Sequence, residues 1–410
     1  MTGGITMKYL IVVPDGAADE PIEALGGKTP LQTAKMPHIN ALAKLGEVGM
    51  VSTVPEGIAP GSDAANLSVM GYDPKTYLTG RSPLEAASIG IDMNETDVAF
   101  RTNIVTLDGD GAYEDLIVKD HSSGDITTAE ADQLIQAVNE AFANDKIQFY
   151  TGVSYRHCMI VHEGSTDYEL TPPHDILTRK AGGYLPKGEG SEFITEMMKK
   201  SYEILKDHPV NKARVEKGLN PANSLWIWGQ GKKPQLSSFY DKYKINGATI
   251  SAVDLIKGIG VCAGLETIDV EGATGTIHTN FDGKAEAAIE AFKRGVDFLY
   301  VHMEAPDECS HQGDMPGKIK SLELIDEKVV GPVIEYLKST GEDFRFLIVP
   351  DHQTPLSIRT HKGRPVPYVF FDSAKIKEED ESREFNEVSG ASSGLFFANG
   401  YELTDHFFAK

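Results

Sequence analysis

Residues 344–352, Phe-Arg-Phe-Leu-Ile-Val-Pro-Asp351-His352, decide how the rest of the chain is read. An apolar run closed by proline, a carboxylate and an imidazole predicts a buried strand, Phe344–Val349, ending in a polar loop. The same grammar recurs near the other end of the chain, where Lys8–Val13 runs into Pro14-Asp15-Gly16. It recurs again where the apolar strand Phe298–His302 precedes Asp307 and His311 in a polar loop. Periodic stretches at Lys284–Arg294 and Lys318–Lys338 predict helices between these strands, and Val366–Phe371 predicts one more strand. Continuous apolar strands alternating with helices require a parallel sheet covered on both faces.

Working outward, a helix is expected at Pro37–Leu45 and a short strand at Gly49–Thr53. A Gly/Pro loop from Gly57 then opens a small-residue helix near Ser62. The middle of the chain differs in tone. Strands are expected at Val98–Leu107 and Cys158–His162, with amphipathic helices at Thr128–Ala143 and Ser191–Lys206. Thr127 and Glu130 have capping-box spacing. The expectation is an α/β protein with a mostly parallel sheet, built from residues 1–77 plus 245–410, and an α+β insertion over 78–244. Gly258, Gly260 and Gly264 read as a turn after a helix, and no phosphate-loop pattern surrounds Lys232.

The chain has 410 residues and a formal charge of 39 − 61 = −22. That field repels nucleic acid and anionic membranes, so neither is expected as a partner. No apolar stretch reaches membrane-spanning length, and the amino terminus reads as a first strand, not a leader. Three scattered cysteines do not make a disulfide framework, so a cytoplasmic location is expected. An acidic protein that handles an anionic metabolite must supply local metal ions or clustered Arg and Lys.

Ligands of open α/β sheets gather beyond the carboxyl ends of the strands. Asp15, Asp307, His311, Asp351, His352 and His361 all fall there. Singly, an Asp after a strand is a turn residue and a lone His a structural one. Six such residues from both halves of the chain suit divalent ions, and mixed O/N donors favour Mn or Zn, with Mg at an oxygen-rich site. Ser62, at a helix start where negative charge is favoured, reads either as a plain N-cap or as a nucleophile held by a metal.

These segments resemble a known family. Val-Pro-Asp15-Gly, Gly61-Ser62-Asp-Ala-Ala-Asn66, Glu304-Ala-Pro-Asp307-Glu-Cys-Ser-His311, Pro350-Asp351-His352 and Thr360-His361 resemble the metal motifs of the alkaline phosphatase superfamily. With Thr79–Ala86, Trp228–Lys232 and Gly272–Gly275, the resemblance narrows to its cofactor-independent phosphoglycerate mutases of archaeal type. It implies an alkaline-phosphatase-like fold and no use of 2,3-bisphosphoglycerate. It implies one ion on Asp15, Ser62, Asp351 and His352, and a second on Asp307, His311 and His361. Ser62 would become phosphoserine while 3-phosphoglycerate and 2-phosphoglycerate interconvert. The inserted domain would bind the substrate, with His121, Arg156, His157, Arg179, Lys180 and Lys232 as candidates, joined by Arg81 and Lys257 near the junction. The run Ser122-Ser-Gly-Asp125 departs from the Ser-x-Gly-His usual in the family, and His278 from an expected Asp. These departures keep open a phosphotransferase acting on another small metabolite, homoserine-kinase-like, or a phosphatase of the same superfamily. A homo-oligomer is compatible with the sequence.

Overall fold

The computed structural model describes residues 7–409, which divide into two compact units. One runs to Leu78 and resumes at Leu236; the other is Thr79–Gln235. The second boundary therefore lies earlier than residue 245. The reason is packing: Phe239 stacks on Phe298 with ring centroids 4.7 Å apart, which ties the short helix Phe239–Tyr243 to the first unit.

The first unit is an eight-stranded sheet in the order Phe396–Phe397, Glu47–Val51, Val366–Asp372, Phe344–Ile348, Lys8–Pro14, Phe298–Met303, Gly247–Ile250, Glu266–Ile268. Of these eight strands only Val366–Asp372 runs against the others. The three strands read from sequence are adjacent at its centre and almost wholly buried. A parallel sheet covered on both faces demands such uninterrupted apolar runs.

Several expectations shift. The stretch after Phe298–Met303 is a helix, Ala305–Gln312, not a polar loop. The long helix expected over Lys318–Lys338 is Met315–Ile325 and Gly331–Thr340 joined by a π-helical turn, Asp326–Val330. Pro332 has no N–H to give the regular ladder, and the widened turn absorbs the loss. The buried Asp326 carboxylate accepts from the N–H groups of His38 and Ile39 at 3.2 and 2.7 Å, satisfying the start of helix Pro37–Leu45. Gly258 and Gly260 lie inside the helix Asp254–Cys262 instead of a turn. A Cβ on Gly260 would meet the Thr249 side chain at 2.6 Å, so glycine lets this helix press against its strand.

The second unit is a five-stranded antiparallel sheet. Val98–Asp108 pairs with Ile117–Asp120, Arg156–Val161 and Ser224–Lys232, and Ile147–Tyr150 extends it. Helices Thr128–Phe142 and Glu192–Leu205 bury their apolar stripes with one face of it, around Phe100, Met159 and Trp226. The capping box of Thr127 and Glu130 is formed in full. No helix among the described residues is long and apolar enough to cross a membrane.

Candidate active site

Three adjacent parallel strands deliver the residues beyond their ends to one place. Asp15 comes directly after Lys8–Pro14, and Asp351 with His352 after Phe344–Ile348. Helix Ala305–Gln312 carries Asp307 and His311 four residues apart, and so on one face. The loop before Val366–Asp372 brings His361.

Two overlapping groups of donors result. In the first, His311 Nε2 lies 3.0 Å from Asp307 Oδ2 and 3.2 Å from His361 Nε2. In the second, His352 Nε2 lies 3.3 Å from Asp351 Oδ2, 3.6 Å from Asp15 Oδ1 and 3.2 Å from Ser62 Oγ. The rings of His352 and His361 are 4.1 Å apart, so the groups are neighbours. Asp307 belongs to both, since its donor atom also lies within 4.8 Å of those of Asp15 and His352.

Ser62 is the first residue of helix Ser62–Val69, and Gly61 occupies the N-cap without a side-chain bond. The plain capping role is therefore not the one Ser62 plays; its hydroxyl meets His352. Four residues on, Asn66 shares its face: the amide donates to the Ser62 carbonyl and to Asp351 Oδ2, and accepts from Tyr300. Asp351 Oδ1 accepts from the N–H groups of Gly16 and His352 at 3.0 and 2.9 Å.

The electrostatics of the cluster suit a bound cation. Burial raises the Asp15 carboxyl well above the usual range, and Asp351 and Asp307 push it further. Burial also opposes ionisation of Asp307, but hydrogen bonds from His311 and His361 outweigh it and hold that carboxyl far below normal. Reciprocally, the Asp307 bond lifts His311 to about 9. Asp15 Oδ1 is buried with no hydrogen-bond partner. Buried carboxylates and imidazoles facing one another at this spacing suit divalent ions with mixed O/N ligands. His311 Nδ1 meets the Arg359 carbonyl at 2.9 Å, which leaves Nε2 facing inward.

A model of the 2,3-bisphosphoglycerate-independent phosphoglycerate mutase family matches residues 43–211. A relative from Geobacter sulfurreducens, called a probable 2,3-bisphosphoglycerate-independent phosphoglycerate mutase, is 48% identical over 97% of this chain and 99% of its own. One from Methanothrix thermoacetophila bearing that enzyme name is 46% identical over 97% and 98%. The chain belongs to this family. Among solved structures, a Pyrococcus horikoshii protein superposes with a TM-score of 0.82 at 28% identity, covering 98% of this chain and 97% of its own. The cofactor-independent phosphoglycerate mutase of Thermoplasma acidophilum gives 0.69 at 28%, covering 98% of each.

Sequence reasoning passed over His302. It is fully buried, and its Nε2 lies 3.1 Å from Asp15 Oδ2 without the alignment of a hydrogen bond. The available signal was a histidine two residues beyond Tyr300 on one face of an otherwise apolar strand. In the second unit, the candidates separate. His121 and Arg156 flank Tyr155, with ring and guanidinium centroids 5.6 Å from it in each case. His174 meets His121 at 6.1 Å and Trp228 at 5.3 Å, and Arg101 lies 4.5 Å over Trp228. Arg101 Nε pairs with Glu85 at 3.0 Å. Burial, and then the positive charges of Arg81 and Arg156, lower Arg101 from its usual range despite Glu85. Arg101 and His174 were not foreseen, because a lone Arg in a strand and a His in a Pro-rich loop carry no pattern.

His157 is buried: burial drops it to about 3, its Nδ1 accepts from the Gly152 N–H, and its Nε2 meets no hydrogen-bond partner. Elsewhere, Arg179 donates to Tyr184, Lys180 pairs with Asp115, and Lys232 ends an edge segment in an exposed position. In the first unit, Lys257 pairs with Asp269 at 2.6 Å.

Proposed function

We propose that the chain interconverts 3-phosphoglycerate and 2-phosphoglycerate through a phosphoserine at Ser62. The observation that carries this reading is a hydroxyl, free of any capping role, set 3.2 Å from the imidazole of a buried carboxylate–imidazole cluster. Asp15, Ser62, Asp351 and His352 would hold one divalent cation, and Asp307, His311 and His361 another, with Mn the first candidate, then Mg or Zn. Bound there, such ions supply charge stabilisation of the phosphoryl oxygens and lower the pKa of a coordinated hydroxyl.

The remaining work belongs to the chain. Ser62 Oγ forms the new bond to phosphorus as the bond to the 3-oxygen breaks, and Asn66 holds the Ser62 carbonyl and Asp351 in place. Return of the phosphoryl group to the 2-hydroxyl of the same glycerate regenerates the serine. The helix N-terminus at Ser62 favours the negative charge of the intermediate. Arg81, Arg101 and Arg156 would supply the positive charge that the glycerate carboxylate needs in an otherwise acidic protein. None of the three cysteines forms a disulfide, in keeping with a cytoplasmic location.

The test is isomerisation of 3-phosphoglycerate by protein stripped with chelator and reloaded with Mn. Activity should vanish on stripping, return on reloading and be absent from Ser62→Ala. Activity that survives stripping or the serine substitution defeats the mechanism. Net release of inorganic phosphate would make the chain a phosphatase instead.

A further inference from the structure

The cluster contains a buried hydroxyl to which no role has been given. Thr354 is fully buried, and its hydroxyl spans the two donor groups, bonding to Asp307 Oδ1 and lying 3.1 Å from His352 Nδ1. A hydroxyl has a single proton, and an ionised carboxylate can only accept. The proton therefore goes to Asp307, and the oxygen lone pair receives the N–H of His352 Nδ1. That arrangement leaves the lone pair of His352 on Nε2, the atom facing Ser62 Oγ and Asp351 Oδ2.

The residue that carries the hydroxyl is held by its backbone. The Thr354 N–H donates to the Ala18 carbonyl at 3.2 Å, and its own carbonyl accepts from Lys318 Nζ at 3.0 Å. Lys318 is itself buried and anchored by Asp19 at 2.8 Å, and the same Asp19 oxygen accepts from the Leu356 N–H at 3.2 Å. Gly16 closes the remaining side, since a Cβ there would come within 2.6 Å of Thr354 Oγ1.

We infer that Thr354 is a positioning residue that selects the metal-binding tautomer of His352 and locks it to Asp307, so that the two donor groups are preorganised as one unit. The inference rests on the two-cation reading above, and its test separates the two. Metal-free wild type, Thr354→Val and Thr354→Ser are titrated with Mn by calorimetry, alongside melting curves and steady-state kinetics. Outer partners of metal-binding imidazoles are typically worth about 10–100-fold in metal affinity. The valine variant should lose cation affinity on that scale and lose kcat more than KM for phosphoglycerate. The serine variant, which keeps the hydroxyl, should stay within about threefold of wild type, by the same scale. Equal affinities of wild type and Thr354→Val overturn this inference alone, as does a serine variant as weak as the valine one, which would make the methyl group the contributor. A wild type that binds no divalent cation overturns the two-cation reading and this inference with it. Loss of kcat in Thr354→Val with unaltered cation binding also counts against tautomer selection.

Discussion

Replacing Gly16 by alanine should disable the site although residue 16 bears no reactive atom. Gly16 has φ +60°, and a Cβ built there lies 2.4 Å from Asp307 Oδ1, 2.6 Å from Thr354 Oγ1 and 2.8 Å from Asp307 Cβ. Contacts under 3.0 Å are essentially never made by real Cβ atoms, so the closest must open by at least 3.0 − 2.4 = 0.6 Å. The left-handed backbone adds about 1–2 kcal/mol for any residue with a Cβ. Neither neighbour gives way cheaply: Asp307 is tied to His311 and Thr354, and Thr354 to Lys318 and Ala18. Relief through the backbone would instead draw the Gly16 N–H away from Asp351 Oδ1 and disturb the other donor group. A displacement approaching 1 Å near a reacting centre costs about 100-fold in rate. We therefore expect Gly16→Ala to lower kcat for 3-phosphoglycerate by about 100-fold and Mn affinity by about 10–100-fold. The melting temperature of the metal-free protein should fall by only about 2–4 °C. Coupled detection of 2-phosphoglycerate, Mn calorimetry and a melting curve measure the three quantities. Wild-type turnover and affinity in a folded Gly16→Ala protein would refute the claim that this backbone is pressed against the donor cluster.

The charges imply three further outcomes. In the metal-free chain Asp15 is raised well above the carboxylate range by burial and its acidic neighbours, and His311 reaches about 9 beside Asp307. A cation needs both groups deprotonated, so near neutral pH its binding must expel protons, and Mn affinity should climb with pH and level off above about 9. Calorimetry in buffers of different ionisation enthalpy reads the proton count, and a buffer-independent enthalpy would contradict it. In the second unit, Arg101→Met should raise KM for phosphoglycerate by roughly tenfold while leaving Mn affinity unchanged, the scale of one charge-assisted hydrogen bond. By contrast, His157→Gln should lower the melting temperature and leave KM within about threefold, because a buried neutral ring offers no charge to the substrate. A reversal of these two KM effects would exchange the roles assigned to them.

Much of the architecture was legible because a covered parallel sheet imposes a strong local rule. Lys8–Pro14, Phe298–Met303 and Phe344–Ile348 are apolar at nearly every position, and the residues just beyond these parallel strands gather at one end of the sheet. The helix Ala305–Gln312 escaped notice because its sequence is polar and lacks an apolar stripe, and no side chain caps its start. The π-helical turn at Asp326–Val330 was equally invisible, since it answers to Pro332 and to the unsatisfied N–H groups of a distant helix. The burial of His157 was not legible because a strand's period places Arg156 and His157 on opposite faces, and which face is buried depends on the helices packed there.

What the sequence by itself determined is the inventory: an α/β chain whose strand ends carry Asp15, Asp307, His311, Asp351, His352 and His361, with a serine at a helix start. These are local properties, set by the polarity period and by where each apolar run stops. Only the tertiary structure decided the relations. It placed Ser62 against His352 and not in a cap, joined Asp307 to His352 through Thr354, brought in His302, and set Arg101 over Trp228. The physical reason is that hydrogen-bond direction, burial and charge coupling act over a few ångströms of space. Residues as far apart in the chain as 15 and 352 become neighbours only once the sheet order is formed.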